Sequence, residues 1–368
     1  MASSPPPRLI VKVGSSLLVD ADGAVRREWL VELVADIAAR MREGQQVAIV
    51  SSGAIALGAR RLKLPKGGRA SLEDAQAAAA TGQIALSGVW AELLHAQGLT
   101  AAQMLLTLDD LEDRRRYLNA SATIDRLMSL GVVPVINEND SVATAEIRFG
   151  DNDRLAARIA QVAGAHQVVL LSDVDGLYTA DPSRDPDATR IARVERIDAT
   201  ITAMATGGSQ SGMGSGGMAS KIQAARIATG SGADLVIVSG HQPRPLARVA
   251  EGAGTVFVAD RRARSRKAWL AGRLTVKGTI EVDGGAASAL AKGASLLAAG
   301  ARHVTGQFMR GDVIDIVGPL GSPIARGLSE YDTGEAARIA GLKSTDIEAV
   351  LGYAPRAAMV HRDHMVLL

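Results

Sequence analysis

Leu9-Ile-Val-Lys-Val13, running straight into Gly14-Ser-Ser16, is the stretch from which the fold can be read. Four of its five residues are apolar, and apolar and polar positions do not alternate. Such a strand is buried on both faces, as in a parallel sheet covered by helices. Its one charged residue, Lys12, stands beside the carboxyl end, where the chain turns through glycine and serine. Val47-Ala-Ile-Val50, Ala101-Ala-Gln-Met-Leu-Leu106, Val132-Val-Pro-Val-Ile136, Val168-Val-Leu-Leu171 and Leu235-Val-Ile-Val238 repeat the pattern. Helical spacing separates most of them. Trp29, Leu30, Leu33, Val34, Ile37, Ala38 and Met41 recur on one face, and Gly44 supplies a stop. The expectation is an α/β domain over 8–260: a mostly parallel sheet sandwiched by helices.

In open parallel sheets, ligands bind beyond the carboxyl ends of the strands. The polar clusters of this chain fall there. They are Lys12-Val-Gly-Ser-Ser16, Ser51-Ser-Gly-Ala-Ile55, Asn137-Glu-Asn-Asp140 and Ser172-Asp-Val-Asp-Gly176. One such cluster is ordinary turn chemistry, whereas four on one sheet edge point to a site. The glycine-rich stretch from Gly207 to Lys221 precedes an alanine-rich helix, and its N–H groups suit a phosphate. Gly212, Gly214 and Gly217 fit G-x-G-x-x-G, but no strand feeds them as the dinucleotide fingerprint requires. Walker A needs glycine before its lysine, and Ser220 stands there. Lysine occurs only eight times, and two of those lysines, Lys12 and Lys221, lie in glycine/serine loops at element ends. That scarcity argues against a floppy linker.

Composition narrows the rest. With 368 residues, two domains are expected. No cysteine is present, which excludes disulfides, cysteine-ligated metals and a thiol nucleophile and fits a cytoplasmic protein. No run of about 18 apolar residues suits a membrane span. Residues 1–7 read as a disordered lead-in with no apolar signal segment. Net charge is +2 and the ten aromatic residues make up 3%, so nucleic-acid binding is not expected. Arg261-Arg-Ala-Arg-Ser-Arg-Lys267 reads as a basic linker over 261–273. Gly278-Thr-Ile-Glu-Val282, His303-Val-Thr-Gly306 and Asp312–Val317 then predict a small, mostly β second domain over 274–368. His361 and His364 share a helical spacing near the chain end but make a poor metal pair. His361-Arg-Asp363 mimics a protein-kinase triplet without its companions. His95 and His166 read as structural or exposed.

Several of these motifs, taken in order, resemble the amino acid kinase family, and within it the members that phosphorylate glutamate. They are Lys12-Val-Gly-Ser-Ser, Ser51-Ser-Gly-Ala-Ile, Val135-Ile-Asn-Glu-Asn-Asp140, Gly150-Asp-Asn-Asp153, Gly176-Leu-Tyr-Thr-Ala-Asp-Pro182 and Gly216-Gly-Met-Ala-Ser-Lys221. Val304-Thr-Gly-Gln-Phe308, Arg310-Gly-Asp312 and Ile324-Ala-Arg-Gly327 resemble the PUA domain that many of these members carry. The resemblance spans nearly the whole chain after Pro7.

It implies ATP-dependent phosphorylation of the L-glutamate side-chain carboxylate, the entry to proline synthesis, with Mg²⁺ carried on the ATP phosphates rather than by protein ligands. It implies that Lys12 and Lys221 contact the transferring phosphoryl group and that Asp153 orients them. Ser52, Asn137, Asp140 and Asn152 would hold glutamate. Lys12, Ser172, Asp173, Ser215, Gly216, Gly217, Met218, Ala219, Ser220 and Lys221 would serve ATP. Serine replaces the family's usual threonine at Ser51, Ser172 and Ser215, keeping the hydroxyl and losing the methyl. Inhibition by proline and assembly into a homo-oligomer, dimer or tetramer, are also implied. The segment Ser141–Gly150, which contains Glu146, links Asp140 to Asn152 and is placed to close over either amino acid.

The chemistry suits those roles. A carboxylate is already a nucleophile at pH 7, so positioning and charge neutralisation dominate catalysis. Acetylglutamate kinase, aspartokinase and UMP kinase are the competing family members. Asp140, suited to a free ammonium, disfavours an N-acetylated substrate, and the PUA tail points away from all three. An RNA-binding PUA protein is the reading from another class; few aromatics and the near-neutral charge oppose it.

Overall fold

Strand β1 (Arg8–Val13) is buried from Leu9 to Val13, and its alternate residues serve two different layers. Ile10 joins the core on one face of the sheet, while Leu9, Val11 and Val13 join the core on the other. The computed structural model describes residues 6–20, 23–142, 151–206, 217–259, 276–353, 355–356 and 358–368. Residues 1–5 of the lead-in, the basic run 261–267, and Ser215 and Gly216 lie outside them. The chain divides into two units, Met1–Arg261 and Arg262–Leu368.

In the first unit β1 is followed by β2 (Gln46–Ser51), β3 (Thr100–Leu106), β4 (Val132–Glu138), β5 (Gln167–Ser172), β6 (Leu177–Tyr178), β7 (Arg190–Ile191), β8 (Arg193–Val194), β9 (Asp234–Ser239) and β10 (Thr255–Phe257). Eight of them form one sheet in the order β3-β4-β2-β1-β5-β9-β10-β8, and β6 pairs with β7. The six strands from β3 to β9 are parallel; β10 runs antiparallel to β9. The expected mostly parallel sheet is therefore present, and the apolar strand runs predicted it because both faces are covered.

The helices are α1 (Ser15–Leu18), α2 (Arg27–Arg42), α3 (Ala54–Arg61), α4 (Leu72–Ala96), α5 (Leu108–Glu112), α6 (Arg114–Ser129), α7 (Asp151–Ala163), α8 (Ala199–Thr206), α9 (Met218–Gly230) and α10 (Pro245–Ala250). Residues of α6, α7, α8 and α9 pack on the Ile10 face. Residues of α2, α3, α4 and α10 pack on the opposite face, where Trp90 is fully buried. Each large apolar side chain removed from water this way contributes roughly 1.5–3 kcal/mol. His166 is structural, as expected: its Nδ1 accepts from the Arg8 backbone N–H at 3.1 Å. His95 is exposed.

Helices α3 and α4 cross at two glycines. A Cβ on Gly58 would lie 1.7 Å from the Ala78 carbonyl oxygen, and one on Gly82 would lie 1.8 Å from that of Ala54. Neither backbone oxygen can move without separating the helices. Alanine gains about 1 kcal/mol over glycine in helix propensity, and the overpacking outweighs it. Gly82→Ala is expected to destabilise the unit by about 2–3 kcal/mol, seen as a lower urea midpoint. An unchanged midpoint would mean that the two helices part at no cost.

The second unit holds a separate five-stranded sheet in the order β12-β11-β13-β14-β15. The strands are β11 (Gly278–Val282), β12 (Ala301–Gly306), β13 (Val313–Val317), β14 (Pro323–Leu328) and β15 (Met365–Leu367). Helices α11 (Gly284–Ala291), α12 (Thr333–Ile339) and α13 (Ser344–Leu351) accompany them. Ile280, Phe308, Ile314, Ile316 and Tyr331 form its core.

Candidate active site

Strand parity puts Lys12 on the Ile10 face, the side covered by α7 and α9. Asp153, in the first turn of α7, and Lys221, in the first turns of α9, meet it there. Lys12 Nζ lies 2.6 Å from Asp153 Oδ1, and Lys221 Nζ donates to Asp153 Oδ2 at 3.1 Å. All three are buried, and Asp153 has no exposed surface. Burial by itself pushes the Asp153 carboxyl upward. The ammonium groups of Lys12 and Lys221 outweigh it and hold the carboxyl below the usual carboxylate range. One carboxylate between two ammonium groups leaves a surplus positive charge in a dry setting, as suits a group that gathers negative charge in a transition state.

An amide cluster adjoins this triad through Asn152, the residue before Asp153. Strand β2 ends in Ser51, and Gly53 turns it into α3 at φ 98°, a conformation that favours glycine. That sharp turn leaves Ser52 at the sheet edge. Asn152 Nδ2 donates to Ser52 Oγ at 2.6 Å and sits 3.4 Å from both the Ser51 carbonyl and Asn137 Oδ1. Asn137, near the end of β4, donates through Nδ2 to Gln83 Oε1 at 2.7 Å. Trp90 Nε1 donates to Ser51 Oγ at 2.9 Å. Asp140 is half-buried just past β4; its charge acts on the Arg69 guanidinium, which burial lowers and Asp140 raises.

A cavity of about 710 Å³ opens at the carboxyl ends of β5 and β9, a size common among small-molecule pockets. Asp173, Gly217, Met218 and Lys221 line it. Ser172 ends β5 and donates to Asp173 Oδ1 at 2.9 Å. Lys12, Ser172, Ala219 and Ser220, also expected at the nucleotide, do not line the cavity themselves. Among the described residues, no group of three or more histidine or acidic side chains is arranged to hold a metal.

Two groups of expected residues are thus brought together: Lys12, Asp153 and Lys221, and Ser52, Asn137 and Asn152. Most of segment 141–150, including Glu146, lies outside the described residues, as do Ser215 and Gly216. Sequence reasoning missed Gln83 and Trp90 on α4. It also missed Tyr178, Arg190, Met204, Ser239 and Gln242 in the cavity wall. Gln83 carried no distinguishing signal, since α4 also holds Gln76, Thr81 and Ser87. Tyr178 lies in the Gly176–Pro182 motif, though with no role assigned, whereas Arg190, Met204, Ser239 and Gln242 come from separate elements and carried none.

Comparison with known proteins identifies the family. The amino acid kinase family matches residues 7–239 and the PUA domain matches 278–351. The glutamate 5-kinase of Sphingopyxis alaskensis is 69% identical over 98% of this chain and 98% of its own. That of Zymomonas mobilis is 62% identical over 98% of this chain and 91% of its own. Carbamate kinase from Giardia lamblia, solved with AMP-PNP, is 13% identical, with a TM-score of 0.51 over 69% of this chain and 99% of its own; that likeness concerns the fold alone. From the family match and these relatives, the chain is a member of the amino acid kinase family with a PUA domain, and within that family it groups with the glutamate 5-kinases.

Proposed function

We propose that this chain transfers the γ-phosphoryl group of ATP to the side-chain carboxylate of L-glutamate, giving L-glutamyl 5-phosphate and ADP as the first step of proline synthesis. The observation that carries this reading is the buried Asp153 holding Lys12 and Lys221 together. On one side the nucleotide-sized cavity reaches Lys221. On the other, the amide cluster reaches Asn152. A glutamate carboxylate oxygen bonds to the γ-phosphorus as the bridging bond to the β-phosphate breaks, and ADP leaves with the electron pair. No proton has to move. Lys12 and Lys221 neutralise charge on the transferring group, and Asp153 keeps both in place. Ser52, Asn137, Asp140 and Asn152 hold the amino acid. The first turn of α9 and Asp173 face the phosphates.

Mg²⁺ fits this site as a passenger on the nucleotide. It is a hard ion that binds phosphate oxygens and water with one or two carboxylates, and Asp173 is such a carboxylate in the cavity wall. It would withdraw charge from the phosphates. The reading extends to a cytoplasmic homo-oligomer, dimer or tetramer. No described helix is long and apolar enough to cross a membrane.

ADP release measured with and without L-glutamate tests the reading. Strict dependence on glutamate is expected. Glutamate-independent hydrolysis, or a preference for N-acetylglutamate or aspartate, would overturn it.

The pH profile follows from the absence of a titrating base. log kcat is expected to stay flat between about pH 7 and pH 9. Asp153, with its carboxyl depressed, remains ionised throughout that window. A histidine-like inflection near about pH 6.5 would require an acid–base residue that this account lacks.

Proline shares the α-ammonium and α-carboxylate of glutamate, so its inhibition is assigned to the same partners. Initial rates at varied proline should show competition with glutamate. Noncompetitive inhibition, untouched by Glu146→Ala, would remove the shared site.

A further inference from the structure

The amide groups at the substrate end form a chain of hydrogen bonds that backbone atoms touch at two points. The Glu138 backbone N–H donates to the Asn137 side chain at 2.9 Å, so the atom it meets is oxygen, Oδ1. Asn137 Nδ2 must then point the other way, toward Gln83, which answers with its oxygen at 2.7 Å. The Ser51 carbonyl accepts only, so the Asn152 atom facing it, 3.4 Å away, is nitrogen. Asn152 Nδ2 also faces Asn137 Oδ1 and Ser52 Oγ. Asn152 Oδ1 is therefore turned away from all three. It is buried and has no hydrogen-bond partner among the described residues. A buried acceptor fixed in that state is completed by a donor. The donors on glutamate at neutral pH are the three N–H groups of its α-ammonium, because an ionised carboxylate only accepts.

Gln83 is the far anchor of this chain and is itself held. It is buried on the same face of α4 as Trp90. Its Nε2 donates to Ser87 Oγ at 3.3 Å, and Ser87 Oγ donates to the Gln83 carbonyl at 2.7 Å. The Gly58–Gly82 crossing seats this part of α4 against α3, directly after Ser52.

We propose that Gln83 is a positioning residue: by accepting from Asn137 it locks the amide chain so that Asn152 presents an oxygen to the substrate's ammonium group. This rests on the glutamate reading above. Without the Gln83 oxygen, Asn137 Nδ2 is a buried donor with no partner. Rotating Asn137 to satisfy it would set its nitrogen against the Glu138 N–H and Asn152 Nδ2. Asn152 would then be held only by the long 3.4 Å contact to the Ser51 carbonyl and by the Ser52 hydroxyl, which can donate as well as accept and so does not choose its orientation. Binding of the amino acid suffers, while Lys12, Asp153 and Lys221 keep their contacts.

The test compares Gln83→Met, which keeps length but not hydrogen bonding, with Gln83→Glu, which keeps the accepting oxygen. Gln83→Met is expected to raise the glutamate KM by about tenfold or more, the effect of one buried group left unpaired. The ATP KM should stay within about twofold and kcat within about threefold. Gln83→Glu should return the glutamate KM to within about threefold of wild type. Thermal midpoints recorded on the same samples report folding. An unchanged glutamate KM in Gln83→Met, a loss spread equally over both KM values and kcat, or a Gln83→Glu variant as impaired as Gln83→Met would each overturn the proposal. Wild-type enzyme without glutamate-dependent turnover in the same assay would instead overturn the functional reading, and this inference with it.

Discussion

Asp153→Asn is expected to lower kcat by about 10³-fold. The carboxylate is fully buried between two ammonium groups, and removing one partner from a buried ionic group costs about 3–5 kcal/mol. That cost falls on folding; the rate loss comes from misplacing two preorganised charge contacts, each worth about 10² to 10³ in kcat. Asparagine has nearly the same shape, so packing is preserved and charge alone is tested. With the carboxylate gone, Lys12 and Lys221 repel each other out of position, which removes charge from the transferring phosphoryl group. Stability should fall as well, and its pH dependence gives a second signature. The folded-state carboxyl lies below its unfolded value. It therefore stabilises the fold fully above the unfolded value of about 3.9, and the contribution fades as pH falls below that. In Asp153→Asn this acid-side loss should shrink. Turnover within about fivefold of wild type would remove Asp153 from the mechanism.

Lys221→Ala is expected to reduce kcat by about 10²-fold or more, because losing one preorganised charge contact costs about 3 kcal/mol. The change differs from Asp153→Asn in what it leaves behind. Asp153 keeps Lys12 at 2.6 Å, a neutral pair in place of a cluster with surplus positive charge. Folding should therefore shift far less than in Asp153→Asn. The glutamate KM should also hold, since the amide cluster is built from α4, β2, β4 and Asn152. Wild-type turnover in Lys221→Ala would exclude Lys221 from the chemistry.

The strands were legible in sequence for a local reason. Leu9–Val13, Val47–Val50 and Val168–Leu171 are apolar without alternation because helices cover both sides of the sheet. The polar ends of the same strands were legible because ligand-facing turns interrupt apolar runs abruptly. Strands β14 and β15 carried no such signal: β14 contains Pro323, Arg326 and Gly327, and β15 is three residues long. The reversed direction of β10 depends on its neighbour β9 and not on its own short sequence.

The candidate site divides in the same way. Lys12 announced itself as the one charge in a buried strand, and Lys221 as a rare lysine after a glycine-rich run. That both would meet on Asp153 came from family resemblance, since strand parity and two helix approaches decide it. Gln83 was hidden because its role depends on how α4 is turned about its axis, which the Gly58–Gly82 crossing sets. Much of the cavity wall was hidden because Arg190, Met204 and Gln242 come together only when distant elements pack.

Oxygen tracing shows whether a carboxylate is the phosphoryl acceptor. L-Glutamate labelled with ¹⁸O in both side-chain carboxylate oxygens would be incubated with enzyme, ATP and Mg²⁺, and the acyl phosphate trapped with hydroxylamine. Hydroxylamine attacks the acyl carbon, so the departing phosphate keeps the bridging oxygen. One ¹⁸O is expected in each phosphate released, matched by one hydroxamate per ADP. Phosphate carrying oxygen from water alone, with ADP but no hydroxamate, would contradict it.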